Sequence, residues 1–171
     1  EVAFPALSWY LQLPFIEDEF VCAYFSAYLR CRLKDKPDEA LSSLVAQWKA
    51  EKLLWSYPTR NKILTELRAA GAKVLWVDAM GVEWAGLLTQ LLTAKDQVEC
   101  EAKIVRANLP TTTAANNDWD EGKEEMMRGL DNIAHHYEYK FPKSYLDAMG
   151  VIKDVSNQVS ALLSQVSTVI V

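Results

Sequence analysis

The stretch Lys73-Val74-Leu75-Trp76-Val77-Asp78 decides the fold class of this 171-residue chain. It is a short, almost continuously apolar run that ends on a carboxylate. A helical pattern precedes it, and a second one follows it over residues 82–93. A short apolar run between two helices is typical of a strand buried in a parallel sheet, because helices cover both faces of such a sheet. We therefore predict an α/β fold that contains this strand in a parallel sheet.

Two further strands are predicted after this run. Residues 98–106 first alternate between apolar and polar side chains and then read Ile104-Val105, and residues 167–171 form an apolar run rich in β-branched side chains. Polar residues 116–124 lie between them, and a long helix is predicted from Pro142 to about Gln165, with Gly150 as a weak point. Strands that alternate with helices indicate a parallel sheet flanked by helices.

The first 70 residues are helical in character. Over residues 16–70, apolar side chains recur at spacings of three and four, which predicts three helices separated by short breaks. Residues 1–16, rich in aromatic side chains, are expected to form an irregular or partly helical arm that packs through its aromatics. We therefore divide the chain into a helical lead-in segment, residues 1–70, and the N-terminal part of an α/β domain, residues 71–171.

Composition narrows the classes of function. The net charge is −5, and no block of Lys and Arg is present, so direct binding of nucleic acid by this segment is not expected. The three cysteines show no CxxC spacing, which favours reduced thiols in a cytoplasmic protein. No stretch approaches the roughly 20 apolar residues that cross a bilayer, so no membrane partner is expected. Because the chain begins without Met and its last apolar run stops abruptly, we expect it to be a segment of a longer protein.

Asp78 is the first candidate for chemistry. In open parallel sheets, ligands collect beyond the carboxyl ends of the strands, which is where Asp78 is expected to lie. A carboxylate that leaves the end of a buried strand is costly unless it meets a metal ion, a cation or backbone donors. The alternative is that Asp78 caps the helix that starts near Gly81. Its position favours neither role over the other.

The triplet Thr111-Thr112-Thr113 is the second candidate. If a helix begins near Thr113, its hydroxyl lies in the positive field of a helix N-terminus, which favours an alkoxide and an incoming phosphate. Asn116 then lies one turn further on the same face, with an amide able to donate to a phosphoryl oxygen. The alternative is a loop rich in Pro and Thr in which a threonine acts as a cap.

Together, the two motifs resemble a known family. Residues 74–84, VLWVDAMGVEW, followed by Leu109-Pro110-Thr111-Thr112-Thr113, resemble the PglZ family of the alkaline phosphatase superfamily, which occurs in bacterial phage-exclusion (BREX) systems. The resemblance implies an alkaline-phosphatase-like fold, with Asp78 as a metal ligand and Thr113 as the nucleophile. Thr112 is the alternative nucleophile, because the triple Thr leaves the register open by one residue. By the same resemblance, Asn116 matches a residue that steadies a phosphoryl oxygen.

The resemblance also implies an activity, a cofactor and partners. The parent protein is expected to be a metal-dependent phosphatase or phosphodiesterase with zinc or manganese as its cofactor. A phosphate ester is the implied substrate, and other defence-system proteins are possible partners. In that superfamily most metal ligands, an Asp-His pair among them, come from the C-terminal half, beyond the position of Val171. We therefore expect this segment alone to bind no metal and to be inactive, because stable sites usually need three or four protein ligands.

The sequence also departs from the family pattern. Many members of the PglZ family have an arginine where Gly81 stands, so a phosphate contact is either missing or supplied elsewhere. Glu83 suits the dipole of the helix that follows Asp78 and is interpreted as structural. His135 and His136 are interpreted as a surface pair, because adjacent histidines on a helix point in different directions.

Two other functions stay open. The segment is alternatively a degenerate hydrolase-like domain that acts as a protein–protein assembly module. Its N-terminal helices then form the contact surface, and an exposed aromatic arm over residues 1–16 supplies contacts through Trp9 and Phe15. A nucleotide-binding α/β domain is a weaker alternative, since the turn after Asp78 holds a single glycine and no GxGxxG or GxxxxGKS/T loop.

Overall fold

The computed structural model describes residues 5–13, 17–36, 39–96, 98–136 and 142–171, with the backbone alone at residues 95, 96, 113 and 136. Ten helices and strands follow one another in this part of the chain: α1 Pro5–Tyr10, α2 Glu19–Lys34, α3 Glu39–Glu51, α4 Arg60–Ala69, β1 Lys73–Val77, α5 Ala85–Asp96, β2 Glu125–Met127, α6 Gly129–His136, α7 Lys143–Leu163 and β3 Val169–Ile170. Short 3-10 helices are formed by Leu53–Ser56, Val82–Trp84 and Thr113–Ala115.

The sheet is parallel and has β1 at its centre, in the order β2-β1-β3. β2 pairs with β1 from Leu75↔Glu125 to Val77↔Met127. β3 pairs with the other edge, through Lys73↔Val169 and Val74↔Ile170. Parallel strands need crossover connections, which here contain α5 between β1 and β2, and α6 and α7 between the two edge strands β2 and β3. The predicted α/β class and the parallel pairing of this strand are confirmed.

The second strand does not lie where the sequence predicts it. In the described structure, residues 98–106 are irregular apart from a single parallel bridge between Arg106 and Thr59. Their alternation has a different cause, since half-buried Ile104 packs against a small cluster formed around Leu13 and Val21. The strand beside β1 is instead Glu125–Met127, which at three residues is too short to show a periodicity. The prediction of a strand over residues 98–106 was therefore wrong.

The core lies mainly between α5 and α7 and extends to β1. α7 carries its buried residues at spacings of three and four, and they are Ser144, Tyr145, Ala148, Ile152, Val155, Ser156, Val159 and Leu162. The apolar side chains among them meet Leu87, Leu88 and Leu92 of α5 and Leu75 of β1. Gly150 falls on the exposed face of α7 and does not interrupt it. The long helix predicted from residue 142 is confirmed, because its apolar stripe is continuous.

The described part of the N-terminal arm is built into this core. Tyr10 is 1% exposed, and its ring lies 4.7 Å from that of Trp84 and 5.0 Å from that of Tyr145. Gly86 permits this packing, because a Cβ there would lie 2.1 Å from the carbonyl oxygen of Gln12. The prediction that the arm packs through its aromatics is confirmed over residues 5–13. The expectation of an exposed arm was wrong for this part, whereas Phe15 lies outside the described residues.

The three helices predicted over residues 16–70 are α2, α3 and α4. The side chain of Asp18 caps α2 by accepting from the N–H of Val21 at 2.9 Å, and it also accepts from the Tyr57 hydroxyl at 2.7 Å. α3 packs on α2 through edge-on contacts of Trp48 with Phe20 and Tyr24. The N-terminal aromatics therefore serve helix packing. Among the described helices, none has the length and apolar character needed to cross a membrane.

The two glycines Gly86 and Gly150 provide a matched test of this packing. A methyl group at Gly86 would also lie 2.6 Å from the carbonyl oxygen of Trp9, whereas one at Gly150 would meet nothing within 4 Å. We expect Gly86→Ala to lower the free energy of unfolding by about 1–3 kcal/mol or more, because the backbone of α1 must move. Gly150→Ala should raise it by about 0.5–1 kcal/mol through helix propensity. Urea unfolding checks both, and equal effects of the two substitutions would contradict the docking of α1.

Candidate functional site

Asp78 follows β1 directly and stands at the carboxyl end of the central strand, as predicted. Its backbone N–H donates to the carbonyl oxygen of Met127 at 2.9 Å, so the pairing of β1 with β2 continues to this residue. The carboxylate is half-buried, and its Oδ1 accepts from the N–H of Ala79 at 3.1 Å. Among the residues that the structure describes, no basic side chain forms a salt bridge with it. A carboxylate in such surroundings is suited to receive a cation.

The turn after Asp78 shows that this residue does not cap the next helix. The N-cap of the 3-10 helix Val82–Trp84 is Gly81, without a side-chain cap hydrogen bond. Ala79 adopts a left-handed conformation with φ 61°, which a non-glycine residue rarely does. The turn is closed by the N–H of Met80, which donates to the carbonyl oxygen of Val77 at 3.2 Å. Strained turns of this kind are found preferentially at functional sites.

The threonine loop, which we define as residues 108–116, carries the second candidate motif. The 3-10 helix Thr113–Ala115 begins at the predicted nucleophile, and the N–H of Ala115 donates to the carbonyl oxygen of Thr112 at 3.1 Å. Thr111 and Thr112 are exposed, whereas the side chain of Thr113 lies outside the described part. A helical turn therefore begins at Thr113, but a single turn gives a weaker field than a full α-helix. The assignment of the nucleophile stays a prediction.

The side chain of Asn116 is directed into the threonine loop. Its Oδ1 accepts from the N–H of Asn108 at 2.7 Å. Its Nδ2 lies 3.1 Å, 3.2 Å and 3.0 Å from the carbonyl oxygens of Asn108, Pro110 and Thr112. The amide nitrogen has two hydrogens for these three acceptors, so at least one hydrogen is shared. The donors that the sequence assigns to a phosphoryl oxygen thus point at the loop's own backbone.

Arg60 of α4 holds the end of this loop. Its Nη2 donates to the carbonyl oxygen of Asn116 at 3.1 Å. Its guanidinium also forms a two-pronged salt bridge with Asp118, in which Nε lies 3.0 Å from Oδ2. The same guanidinium stacks on the ring of Trp76, 4.8 Å from its centroid. Arg60 therefore links the threonine loop to β1, two residues before Asp78.

Glu124 and Arg68 form a second ionic contact beside the first. Nε and Nη2 of Arg68 lie 2.6 Å and 2.8 Å from the two carboxylate oxygens of Glu124, whose side chain is 7% exposed. Glu124 also accepts from Nε1 of Trp76 at 2.6 Å and from the N–H of Asp120 at 3.1 Å. Burial by itself raises the pKa of the Glu124 carboxyl, but the hydrogen bonds from Arg68 and Trp76 outweigh it and lower the pKa below its ordinary value.

These two arginines were not predicted from the sequence. Arg60 and Arg68 are eight residues apart, so they lie on nearly the same face of α4. The sequence signal for these contacts is a pair of arginines on one face of a helix, followed further along the chain by acidic residues. That signal names no partner, because Glu124 is separated from Arg68 by 56 residues.

Glu83 is mostly buried beside the turn. Its carboxylate folds back over Gly81, where a Cβ would lie 2.1 Å from Oε2. Burial raises the pKa of the Glu83 carboxyl, and the nearby charge of Arg32 acts in the opposite direction. The carboxylate therefore occupies the space that a side chain at position 81 would enter. Its structural role stays a prediction.

The histidines and cysteines show no constellation of their own in the described structure. Nε2 of His135 lies 3.2 Å from Oδ1 of Asp131 on the surface of α6, while the side chain of His136 lies outside the described part. All three cysteines are free thiols, in agreement with the sequence. Across the described ranges, no three His, Cys, Asp or Glu side chains come together as a metal site. The metal ligand predicted from the sequence, Asp78, is therefore not part of such a group in the described residues.

A shallow cavity lies elsewhere on the molecule. It has a volume of about 250 Å³ and is lined by Trp9, Leu91, Ala94, Lys153, Ser156 and Asn157. None of the predicted site residues contributes to it. Its lining is mainly apolar, and its volume lies below the roughly 300–1,000 Å³ of most ligand pockets. The candidate site is therefore the edge of the sheet at Asp78 and the threonine loop, rather than this cavity.

Comparisons with protein-family models, with curated proteins and with solved structures find no match to this chain.

The contact between Glu124 and Arg68 generates a stability prediction. Because the folded-state pKa of Glu124 is lowered, its contribution to stability is present above the ordinary value of 4.5 and is lost as the pH falls through the folded-state pKa. Glu124→Gln leaves Arg68 without its ionic partner, so we expect a loss of roughly 1–3 kcal/mol at pH 7 that shrinks in acid. Thermal unfolding between pH 3 and pH 7 measures this. The control is exposed Glu121→Gln, and a pH-independent loss in Glu124→Gln would contradict the assignment.

Proposed function

We propose that this chain supplies the nucleophile and one metal ligand of a cytoplasmic, metal-dependent phosphatase or phosphodiesterase of the PglZ type, acting in bacterial defence against phage. The observation that supports the proposal most strongly is the position of Asp78. It lies half-buried at the carboxyl end of the central parallel strand, without a basic partner among the described residues. The motif resemblance assigns a metal ligand to this same residue.

Asp78 fits a metal ligand by its chemistry and its surroundings. A carboxylate oxygen is a ligand for zinc and for manganese, and among the described residues Oδ1 accepts from the backbone N–H of Ala79 at 3.1 Å. When bound, a pair of divalent ions would stabilise both the attacking and the leaving oxygen of a phosphoryl transfer. A stable site needs further ligands, which we propose come from outside residues 1–171. On this basis the chain alone is inactive.

Thr113 is the proposed nucleophile. Its hydroxyl oxygen forms a bond to phosphorus, its proton is lost to a base, and the bond from phosphorus to the leaving oxygen breaks. Water then hydrolyses the phosphothreonine and restores the hydroxyl. The start of a helical turn at Thr113 supports this assignment, since Thr111 and Thr112 directly before it are exposed. Thr112 is one residue away and is the alternative nucleophile.

Assembly with partner proteins is a second candidate function. The observation in its favour is α3, whose described residues are all exposed or half-exposed, together with Trp55, which is 61% exposed just beyond it. The contact surface would then be α3 rather than the N-terminal arm, whose described part belongs to the core. Under this alternative, Trp55→Ser abolishes complex formation with the partner, whereas Thr113→Ala leaves it intact.

Phosphodiester hydrolysis tests the proposal. The full-length protein that contains this chain is assayed with bis-p-nitrophenyl phosphate, with and without zinc or manganese. We expect metal-dependent turnover that Thr113→Ala lowers by roughly a thousandfold or more, since removing a nucleophile has effects of at least this size. Thr111→Ala is the control within the same loop, and Thr112→Ala fixes the register. Absence of turnover with every metal, or turnover that survives both Thr112→Ala and Thr113→Ala, would overturn the proposal.

A further inference from the structure

The threonine loop has few anchors of its own. Residues 108–112 are all exposed, and Leu109 shows 62% of its surface to solvent. In the described structure, the loop has one internal backbone hydrogen bond, from the N–H of Ala115 to the carbonyl oxygen of Thr112 at 3.1 Å, and Nδ2 of Asn108 donates to the carbonyl oxygen of Ala115 at 3.2 Å. Exposed loops with so little backbone bonding open readily unless side chains hold them. A nucleophile on this loop needs such an anchor, because misplacement by about 1 Å can cost a large factor in rate.

Asn116 supplies that anchor inside the loop. Its amide bonds both the N–H and the carbonyl oxygen of Asn108, at 2.7 Å and 3.1 Å, and so joins the start of the loop to its end. The carbonyl oxygens of Pro110 and Thr112 lie 3.2 Å and 3.0 Å from the same Nδ2. Pro110 and Thr112 precede Thr113, so these contacts fix the backbone that leads into the proposed nucleophile.

Arg60 connects the threonine loop to the sheet. It donates to the carbonyl oxygen of Asn116 at 3.1 Å while its guanidinium stacks on the ring of Trp76 at 4.8 Å. The salt bridge with Asp118 fixes the orientation of the guanidinium on a second side. Trp76 belongs to β1 and lies two residues before Asp78. Arg60 therefore connects the end of the loop directly to β1.

We infer that Asn116 and Arg60 are positioning residues that hold the threonine loop against the carboxyl end of β1, with Asn116 acting through the loop backbone rather than on a phosphoryl oxygen. The catalytic consequence rests on the proposed function, whereas the holding of the loop does not. A contact from Asn116 to a phosphoryl oxygen would require its amide donors to leave the carbonyl oxygens they now face. The inference thus gives Asn116 a different role from the one that the motif resemblance implies.

Hydrogen exchange in the 171-residue chain tests the holding of the loop. In Asn116→Ala, we expect the amide of Asn108 to exchange about tenfold faster, because its acceptor is lost. The amides of β1 should keep their wild-type rates, which separates local opening from global unfolding. Asn117→Ala is the matched control at the exposed neighbouring position. Unchanged exchange at Asn108 overturns the inference, whatever the activity of the protein.

Asn116→Asp gives a second variant in case Asn116→Ala fails to fold. The carboxylate keeps an acceptor for the N–H of Asn108 but turns negative charge toward three carbonyl oxygens, and its protonated form regains one donor. We therefore expect the exchange of the amides of residues 111–115, corrected for the intrinsic effect of pH, to slow as the pH falls through the range of a carboxyl group. Corrected rates that do not change with pH would contradict the role of the amide donors.

Steady-state kinetics of the full-length protein test the catalytic consequence. A positioning role predicts that Asn116→Ala and Arg60→Ala lower kcat by roughly tenfold to a hundredfold while KM changes little. Arg60→Lys should recover less than half of the lost kcat, because an ammonium group cannot form the two-pronged contact or the stacking. Faster exchange with an unchanged kcat would reduce both residues to a structural role and overturn the inference. Absence of turnover in the wild-type protein would instead overturn the proposed function, leaving the exchange result to decide on the loop.

Discussion

The carboxylate of Glu124 is the interaction on which the sheet edge depends. It receives Arg68 from α4, the indole N–H of Trp76 from β1, and a backbone N–H from the loop that precedes β2. β2 begins at the very next residue and has only three residues with a mixed polarity. A strand this short has little intrinsic tendency to form, so the charge-assisted hydrogen bonds of Glu124 are what fix its place beside β1. The pairing of Asp78 with Met127 follows from that placement.

Much of the fold could be predicted because its signals are local. The apolar run of β1 and the three-and-four spacing of α7 belong to contiguous residues, and each correctly indicates its element. β2 could not be found in this way, since its position is decided by Arg68, 56 residues away. The alternation over residues 98–106 was misleading, because Ile104 packs against Leu13 and Val21 without joining the sheet. A period of two indicates one buried face, which a half-buried extended loop also has.

The candidate site could also be predicted only in part. The place of Asp78 could be predicted, because a residue that follows a buried strand must lie at the edge of the sheet. The orientation of the Asn116 amide could not, since it depends on how residues 108–112 close into a loop around it. The role of α4 could not be predicted from the sequence either. Arg60 and Arg68 belong to the helical lead-in, yet they donate to the carbonyl oxygens of Asn116 and Asp118, at the end of the threonine loop and just beyond it. The lead-in helices therefore support the candidate site directly, as well as contributing Tyr10 and Leu29 to the shared core.

The position of Asp78 carries the functional account, and its direct test is anomalous X-ray diffraction from crystals of the full-length protein grown with zinc or manganese. If Asp78 is a metal ligand, an anomalous peak is expected about 2.0–2.2 Å from one of its carboxylate oxygens, as for a carboxylate ligand of zinc. Asp78→Asn should weaken or remove this peak, whereas Glu121→Gln, on the exposed surface, should not. A metal ion bound by other residues with Asp78 outside its coordination sphere, or no peak at a saturating concentration of either metal, would contradict the account.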